Sequence, residues 1–196
     1  IDGQGEEYVN CEHALENMAQ EVSEKVESIF DTIYTKRGMR VDAYSKYILL
    51  QSKIPNMIKA HKIADEAMKH CGINGQKWIE KIESFHKKGI SFQEEHLEMQ
   101  YFYIGNWCLC GIPNETMTEF ALETAQLLKD PFFYFNGYTN GCSSYFPTKE
   151  EYDLGGYEVY WAMLIYFADY ERVYPYNREA IDTVISYAVE NARISL

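Results

Sequence analysis

Residues 96–112, with the sequence HLEMQYFYIGNWCLCGI, decide the fold. The first half of this stretch alternates polar and apolar residues, and a period of two is typical of a strand with one buried face. Gly105-Asn106 is a two-residue hairpin signal, and residues 107–112 return as a largely apolar second strand. Pro113 cannot donate to a strand ladder, so it ends the second strand. The stretch therefore predicts an antiparallel hairpin at the centre of a sheet.

Helical patterns and further strands flank this hairpin on both sides. Apolar residues that recur every three or four positions predict helices, and two-residue alternation or short apolar runs predict strands. The predicted elements are helices over residues 11–30, 55–71, 78–85 and 178–192 and strands over residues 41–51 and 132–135. Thr116-x-x-Glu119 has the pattern of a capping box, which predicts the start of another helix at Thr116.

The order of these elements predicts an α/β fold. Because helices and strands alternate and at least one strand pair is a hairpin, the natural packing is a mixed β-sheet with a central hairpin, flanked by helices. No internal repeat or low-complexity linker interrupts the sequence, so we expect a single domain over residues 1–196. The chain begins at Ile1 rather than Met, in the loop-like stretch IDGQG, and we expect it to be part of a longer protein.

Charge and hydropathy exclude several classes of function. The chain has 18 basic and 30 acidic residues, and a net charge of −12 argues against a broad electrostatic grip on nucleic acid or anionic lipid. No run reaches the roughly 18 apolar residues of a membrane span. The longest run, residues 159–168, is expected to be buried core or a strand. Five unpaired cysteines and the lack of a signal-peptide pattern favour a cytoplasmic location.

Two places in the sequence are candidates for chemistry. Glu115 follows a buried strand and precedes a predicted helix, at the sheet edge where α/β proteins often bind ligands. The alternative is an ordinary first-turn Glu that interacts favourably with the helix dipole. Residues 136–145 form a loop with Gly137, Asn140 and Gly141, residues suited to tight turns, and such loops often hold functional groups. A plain connecting loop is the alternative there.

Other polar residues give weaker signals. The five histidines show no HExxH or HxH spacing, and Cys11-x-His13 is a poor ligand pair. Ser143 and Ser144 lack the GxSxG context of a nucleophile elbow. The seventeen tyrosines are expected to pack half-buried with their hydroxyls in water.

Two segments carry a resemblance to a known family. Residues 103–115 read YIGNWCLCGIPNE, a strand pair that leads to Pro-x-Glu. Residues 136–158 read NGYTNGCSSYFPTKEEYDLGGYE, an Asn-rich loop with a Tyr-x-x-Thr-x-x-x-Tyr stretch and a following Tyr-Glu pair. In this order, the two segments resemble the neutral/alkaline (non-lysosomal) ceramidases, and the match is closer to the shorter bacterial relatives.

The resemblance implies a zinc site and an amide substrate. In that family two histidines, one Glu and one Tyr hold a zinc ion, which activates water to cleave the amide of an N-acyl sphingoid base. Carried over, Glu115 is the carboxylate ligand and Tyr145 is the phenolic ligand. A bound zinc ion can stabilise a phenolate at neutral pH although the ordinary pKa of tyrosine is near 10. The implied cofactor is zinc, and the implied substrate is a lipid or another N-acyl amide.

The departures from the family pattern shape the expected function. The two histidine ligands of the family come from an upstream segment that this sequence does not contain. We therefore expect the C-terminal portion of a larger hydrolase, inactive on its own and completed by a partner segment. Cys142 stands where eukaryotic members have a Tyr, so the substrate need not be ceramide. The alternative hypothesis is a non-catalytic binding or structural module that keeps the fold.

Overall fold

The computed structural model describes residues 11–34 and 38–193. The chain divides into two compact units, residues 1–39 and residues 40–196. The first unit contains helix α1 (Cys11–Phe30), which has the bounds that its helical periodicity predicts. The larger apolar side chains of α1 are exposed: Leu15, Met18, Val22, Val26, Ile29 and Phe30.

The second unit contains the sheet and the helices around it. Its strands are β1 (Val41–Lys53), β2 (Phe92–Ile104), β3 (Trp107–Gly111), β4 (Glu115–Thr116), β5 (Phe133–Asn136) and β6 (Tyr145–Phe146). Its α-helices are α2 (Met57–Cys71), α3 (Gln76–Lys87), α4 (Thr118–Leu128), α5 (Lys149–Leu154), α6 (Met163–Tyr170) and α7 (Ala180–Asn191). A π-helical turn, Tyr157–Trp161, precedes α6.

The main sheet has four strands in the order β1-β2-β3-β5. Strand β2 is antiparallel to both β1 and β3, whereas β5 runs parallel to β3, so the sheet is mixed. The β2–β3 hairpin lies at its centre and turns at Gly105-Asn106, as the sequence predicts. The α/β class with a central hairpin and flanking helices is confirmed.

The inner face of the sheet holds the main core. Alternate residues of β2 are buried, as their two-residue period predicts: Leu97, Met99, Tyr101 and Tyr103. Helices α4 and α7 contribute Phe120, Val184 and Ile185 to the same cluster. The hydroxyl of Tyr101 donates to the carbonyl of Ala188 at 3.1 Å, so this buried phenol has a partner.

A second cluster forms where α2, α3 and α6 meet. Trp78 of α3 is buried, and its indole N–H donates to the carbonyl of Val173 at 2.8 Å. Pro55 lies outside α2 and not in its first turn, because Asn56 is the N-cap and its side chain accepts from the amide of Lys59. Gly72 ends α2 in the left-handed conformation.

The outer face of the sheet exposes several large apolar side chains among its polar ones. Trp107 is 50% exposed and its ring stacks on that of Phe132, with 5.8 Å between centroids. The other large apolar side chains exposed on the outer side of β1, β2, β3 and β5 are Val41, Tyr47, Leu49, Phe92, Ile104, Leu109 and Tyr134. An apolar surface of this kind on a sheet is a common place for another segment or protein to bind.

The apolar run over residues 159–168 is helical, so the strand interpretation is wrong. It forms most of the π-helical turn and most of α6, with Val159, Met163 and Leu164 buried. A continuous apolar run has no period that separates a buried strand from a buried helix. Within the described ranges, no helix is both long and apolar enough to cross a membrane.

The predicted capping box is also wrong. Helix α4 begins at Thr118, and its N-cap is Met117, which makes no side-chain capping bond. Thr116 lies in β4 instead, where it is the register partner of Phe146 in β6. The strand pair therefore takes Thr116 out of the capping position, and the helix starts two residues later.

Candidate functional site

Strands β4 and β6 place the two predicted ligands side by side. Glu115 and Tyr145 are direct register partners in this short parallel pair. Register partners on neighbouring strands point their side chains to the same face. The two side chains also interact, since a hydrogen bond to Glu115 contributes to the raised pKa of Tyr145. The structure therefore brings together the two residues that the sequence singled out.

Glu115 is not a first-turn helix residue. It lies in β4 and precedes the N-cap of α4, so its carboxylate is outside the helix. Its backbone amide donates to the carbonyl of Ser144 at 3.1 Å. The interpretation of Glu115 as an ordinary helix-dipole residue is therefore wrong, and its position is set by the strand pair.

Backbone hydrogen bonds hold the loop over residues 136–145 against the segment that carries Glu115. Three consecutive carbonyls of that segment accept hydrogen bonds from loop amides. The bonds run from Thr139 N to Ile112 O at 3.0 Å, from Tyr138 N to Asn114 O at 2.8 Å and from Ser143 N to Pro113 O at 2.7 Å. Because these bonds hold the loop near both its start and its end, the loop has a defined conformation next to the carboxylate of Glu115.

This loop contains several residues in strained backbone conformations. Tyr138, Asn140 and Ser144 have positive φ angles of 53°, 59° and 108°. Such conformations cost on the order of 1–3 kcal/mol each and cluster at functional sites. Glycine is required at position 137 for a steric reason, because a Cβ atom there would lie 2.6 Å from the carbonyl oxygen of Asn114. The loop is therefore built for a close approach to the Glu115 segment.

Two phenols face the carboxylate of Glu115. The hydrogen bond to Glu115 is the main reason why the pKa of Tyr138 is raised above its ordinary value. Burial, followed by the hydrogen bond to Glu115, raises the pKa of Tyr145 to about 12. The ring of Tyr157 packs edge-on against that of Tyr145, with 5.8 Å between centroids. Without a bound cation, both phenols stay protonated and serve as donors to the carboxylate.

More phenols surround Cys142 on the same loop. Burial, followed by an interaction with the Cys142 thiol, raises the pKa of Tyr166 to about 12. The amide of Cys142 donates to the hydroxyl of Tyr170 at 3.1 Å. Sequence reasoning missed Tyr138 and Tyr166 as members of the site, because nothing in the sequence separates them from the other tyrosines.

The donor set at β4–β6 fits part of a zinc site. A carboxylate and a phenol on one face supply two oxygen ligands, and a catalytic zinc site takes three protein ligands and an open position. Across residues 11–34 and 38–193, no group of three or more His, Cys, Asp or Glu side chains could hold a metal ion. His70 stacks on Trp161, and His86 bonds to the carbonyl of Pro55, so these histidines are engaged elsewhere.

Comparison with known proteins gives no match. No protein-family model matches the sequence, and no curated protein or solved structure is significantly similar to it. The function therefore has to be argued from the residues and from the geometry of the site.

Proposed function

We propose that Glu115 and Tyr145 are two ligands of a zinc site that hydrolyses the amide of an N-acyl sphingoid base or a similar lipid. The observation that carries this proposal is the β4–β6 pair, which places the two residues on one face as register partners. The resemblance to the ceramidases names the same two residues as ligands on independent grounds. Agreement between the two supports the ligand assignment.

The side chains of this chain would act as ligands, donors and supports. Glu115 is a ready anionic ligand, whereas Tyr145 must release its phenolic proton, so we expect zinc uptake to weaken as the pH falls. Tyr157 packs against the ring of Tyr145 and limits its rotation. Tyr138 is 59% exposed and directs its hydroxyl to Glu115, where it could also donate to a polar group of the substrate. When bound, zinc polarises the scissile carbonyl and activates water.

We further propose that a partner segment outside these 196 residues supplies the two histidine ligands. The outer face of the sheet is the surface on which it would lie, because that face is apolar and exposed around Trp107 and Leu109. The loop beside Glu115 touches this face, since the side-chain amide of Asn140 donates to Glu98 on the outer side of β2 at 3.4 Å. A segment that covers the face would therefore lie against this loop.

Two substitutions in the full-length protein test the ligand assignment. Glu115→Ala removes a charged ligand, so we expect loss of both zinc and amide hydrolysis. Tyr145→Phe keeps the ring but removes the oxygen, so we expect most of the turnover to disappear while the melting temperature of the metal-free protein changes little. Zinc content and the hydrolysis rate of an N-acyl sphingoid substrate are measured on the same samples.

Glu119→Ala and Tyr34→Phe serve as matched controls, because both side chains are exposed and neither is a ligand in this proposal or part of the sheet. They should keep zinc and activity. If Glu115→Ala and Tyr145→Phe also keep the zinc content and rate of the parent protein, the ligand assignment is wrong. A non-catalytic module with the same fold is then the better hypothesis.

A further inference from the structure

A buried arginine lies beneath the loop that carries Tyr145. Arg172 follows α6, and its side chain is only 3% exposed. Its guanidinium donates to the carbonyls of Ser143 at 2.8 Å and Tyr174 at 3.1 Å. It also lies 3.2 Å from a carboxylate oxygen of Glu95 and packs over the ring of Tyr176, 4.0 Å from its centroid. The charge is therefore compensated, and one of its hydrogen bonds reaches the loop.

Two further buried residues extend this contact to the Glu115 segment. The side-chain amide of Asn114 donates to the hydroxyl of Ser143 at 2.9 Å and to the carbonyl of Ser144 at 3.1 Å. The same hydroxyl lies 3.4 Å from the guanidinium of Arg172. Asn114 and Ser143 are almost completely buried. Arg172, Ser143 and Asn114 together form what we call the buried brace.

The buried brace connects the residues next to both proposed ligands. Asn114 immediately precedes Glu115, and Ser143 and Ser144 immediately precede Tyr145. We propose that the buried brace is a positioning element that sets the distance between Glu115 and Tyr145, an inference that rests on the proposed zinc site. Its members touch neither the metal nor the substrate, and they act through the backbone on which the two ligands are carried.

Backbone strain at Ser144 supports this role. Its φ of 108° persists only if the surroundings hold it, and its carbonyl accepts from both the Asn114 side chain and the Glu115 amide. Buried hydrogen bonds are directional, so they fix an orientation as well as a position. Apolar packing could supply similar stability but would leave the relative placement of the two strands less defined.

A purely structural role is the competing explanation, and Ser143→Ala separates the two. This change removes the oxygen that links Asn114 to Arg172, but it leaves Arg172 beside Glu95 with its charge compensated. Ser52→Ala is the matched control. Ser52 is equally buried at 1% exposure, lies in β1 outside the brace, and its hydroxyl has no hydrogen-bond partner among the described residues.

The experiment measures zinc affinity by chelator competition in the full-length protein. We expect Ser143→Ala to weaken zinc binding roughly 10- to 100-fold, the range found when a residue that supports a metal ligand is removed. Arg172→Lys keeps the charge but loses the guanidinium fork, so it should weaken binding in the same direction. Amide hydrogen exchange at Glu115 should become faster in Ser143→Ala, because that amide bonds to Ser144. Ser52→Ala should change neither quantity.

Glu115→Ala in the same assay distinguishes failure of the brace from failure of the zinc site. If Glu115→Ala loses zinc while Ser143→Ala and Arg172→Lys bind it like the parent protein, the positioning role is overturned and the zinc site stands. A loss of affinity in Ser52→Ala as large as that in Ser143→Ala would also overturn it, since the effect would then be general stability. If Glu115→Ala binds zinc unchanged, the site and the brace fall together.

Discussion

Glu115 is the residue on which the electrostatics of the site depend. It accepts from two phenols whose pKa values are raised for different reasons. The hydrogen bond to Glu115 is the main cause for the exposed Tyr138, whereas burial is the main cause for Tyr145. The same charge therefore affects the two hydroxyls to different extents, and this difference can be measured.

We predict that Glu115→Gln lowers the pKa of both phenols in the metal-free protein. Removal of the negative charge makes each phenolate easier to form, so both values move down toward the ordinary value near 10. The pKa of Tyr138 should fall most of the way to that ordinary value. The pKa of Tyr145 should keep the part of its increase that burial causes. Tyrosine-labelled NMR titration reads both residues separately. If the two tyrosine pKa values are the same in Glu115→Gln and the parent protein, the contact between Glu115 and the phenols is contradicted. An equally large pKa shift in Glu119→Gln would also contradict it.

At the scale of elements, the β4–β6 pair positions the two proposed ligands, and sequence periodicity could not predict this pair. Each strand has two residues, which is too short to show alternation. Only the resemblance to the ceramidases singled out Glu115 and Tyr145 together. The β2–β3 hairpin is the opposite case, because its alternation and its Gly105-Asn106 turn are both local signals. Local patterns therefore predicted the sheet, whereas the pairing that builds the site depends on distant contacts.

Gly137→Ala should disrupt the packing of the loop against the β4 segment without a change in charge. The added Cβ would meet the carbonyl oxygen of Asn114 at 2.6 Å and the amide nitrogen of Thr116 at 3.0 Å, and backbone atoms cannot turn away as a side chain can. Such overpacking costs about 1–3 kcal/mol of unfolding free energy. Denaturant unfolding should show this loss, and zinc affinity should fall with it.

Gly89→Ala is the control for Gly137→Ala. Gly89 has open space around its Cβ position but a φ of +70°, so the change costs only the strain of that conformation, about 1–2 kcal/mol. Zinc affinity should not change in this variant. Wild-type zinc affinity in Gly137→Ala would mean that the loop tolerates displacement from the Glu115 segment.

At the scale of the whole molecule, the two faces of the sheet have different roles. Helices α4 and α7 close the inner face around Tyr101 and Leu97, and the sequence predicted this core from its periodicity. The outer face exposes Trp107 and Leu109 and runs toward the loop at Glu98. Sequence periodicity predicted the buried face of β2, but it does not say whether the opposite face of the sheet is covered. That depends on the partners of the sheet, which lie outside a local pattern.

The central claim is that Glu115 and Tyr145 bind one zinc ion, and an anomalous difference map at the zinc absorption edge tests it most directly. The measurement uses crystals of the full-length protein grown with zinc. We predict one strong peak with a carboxylate oxygen of Glu115 and the phenolic oxygen of Tyr145 both at ~2.0–2.2 Å, completed by two histidines from the partner segment. A zinc peak in protein that hydrolyses the amide, held by other side chains and away from both residues, would contradict the account.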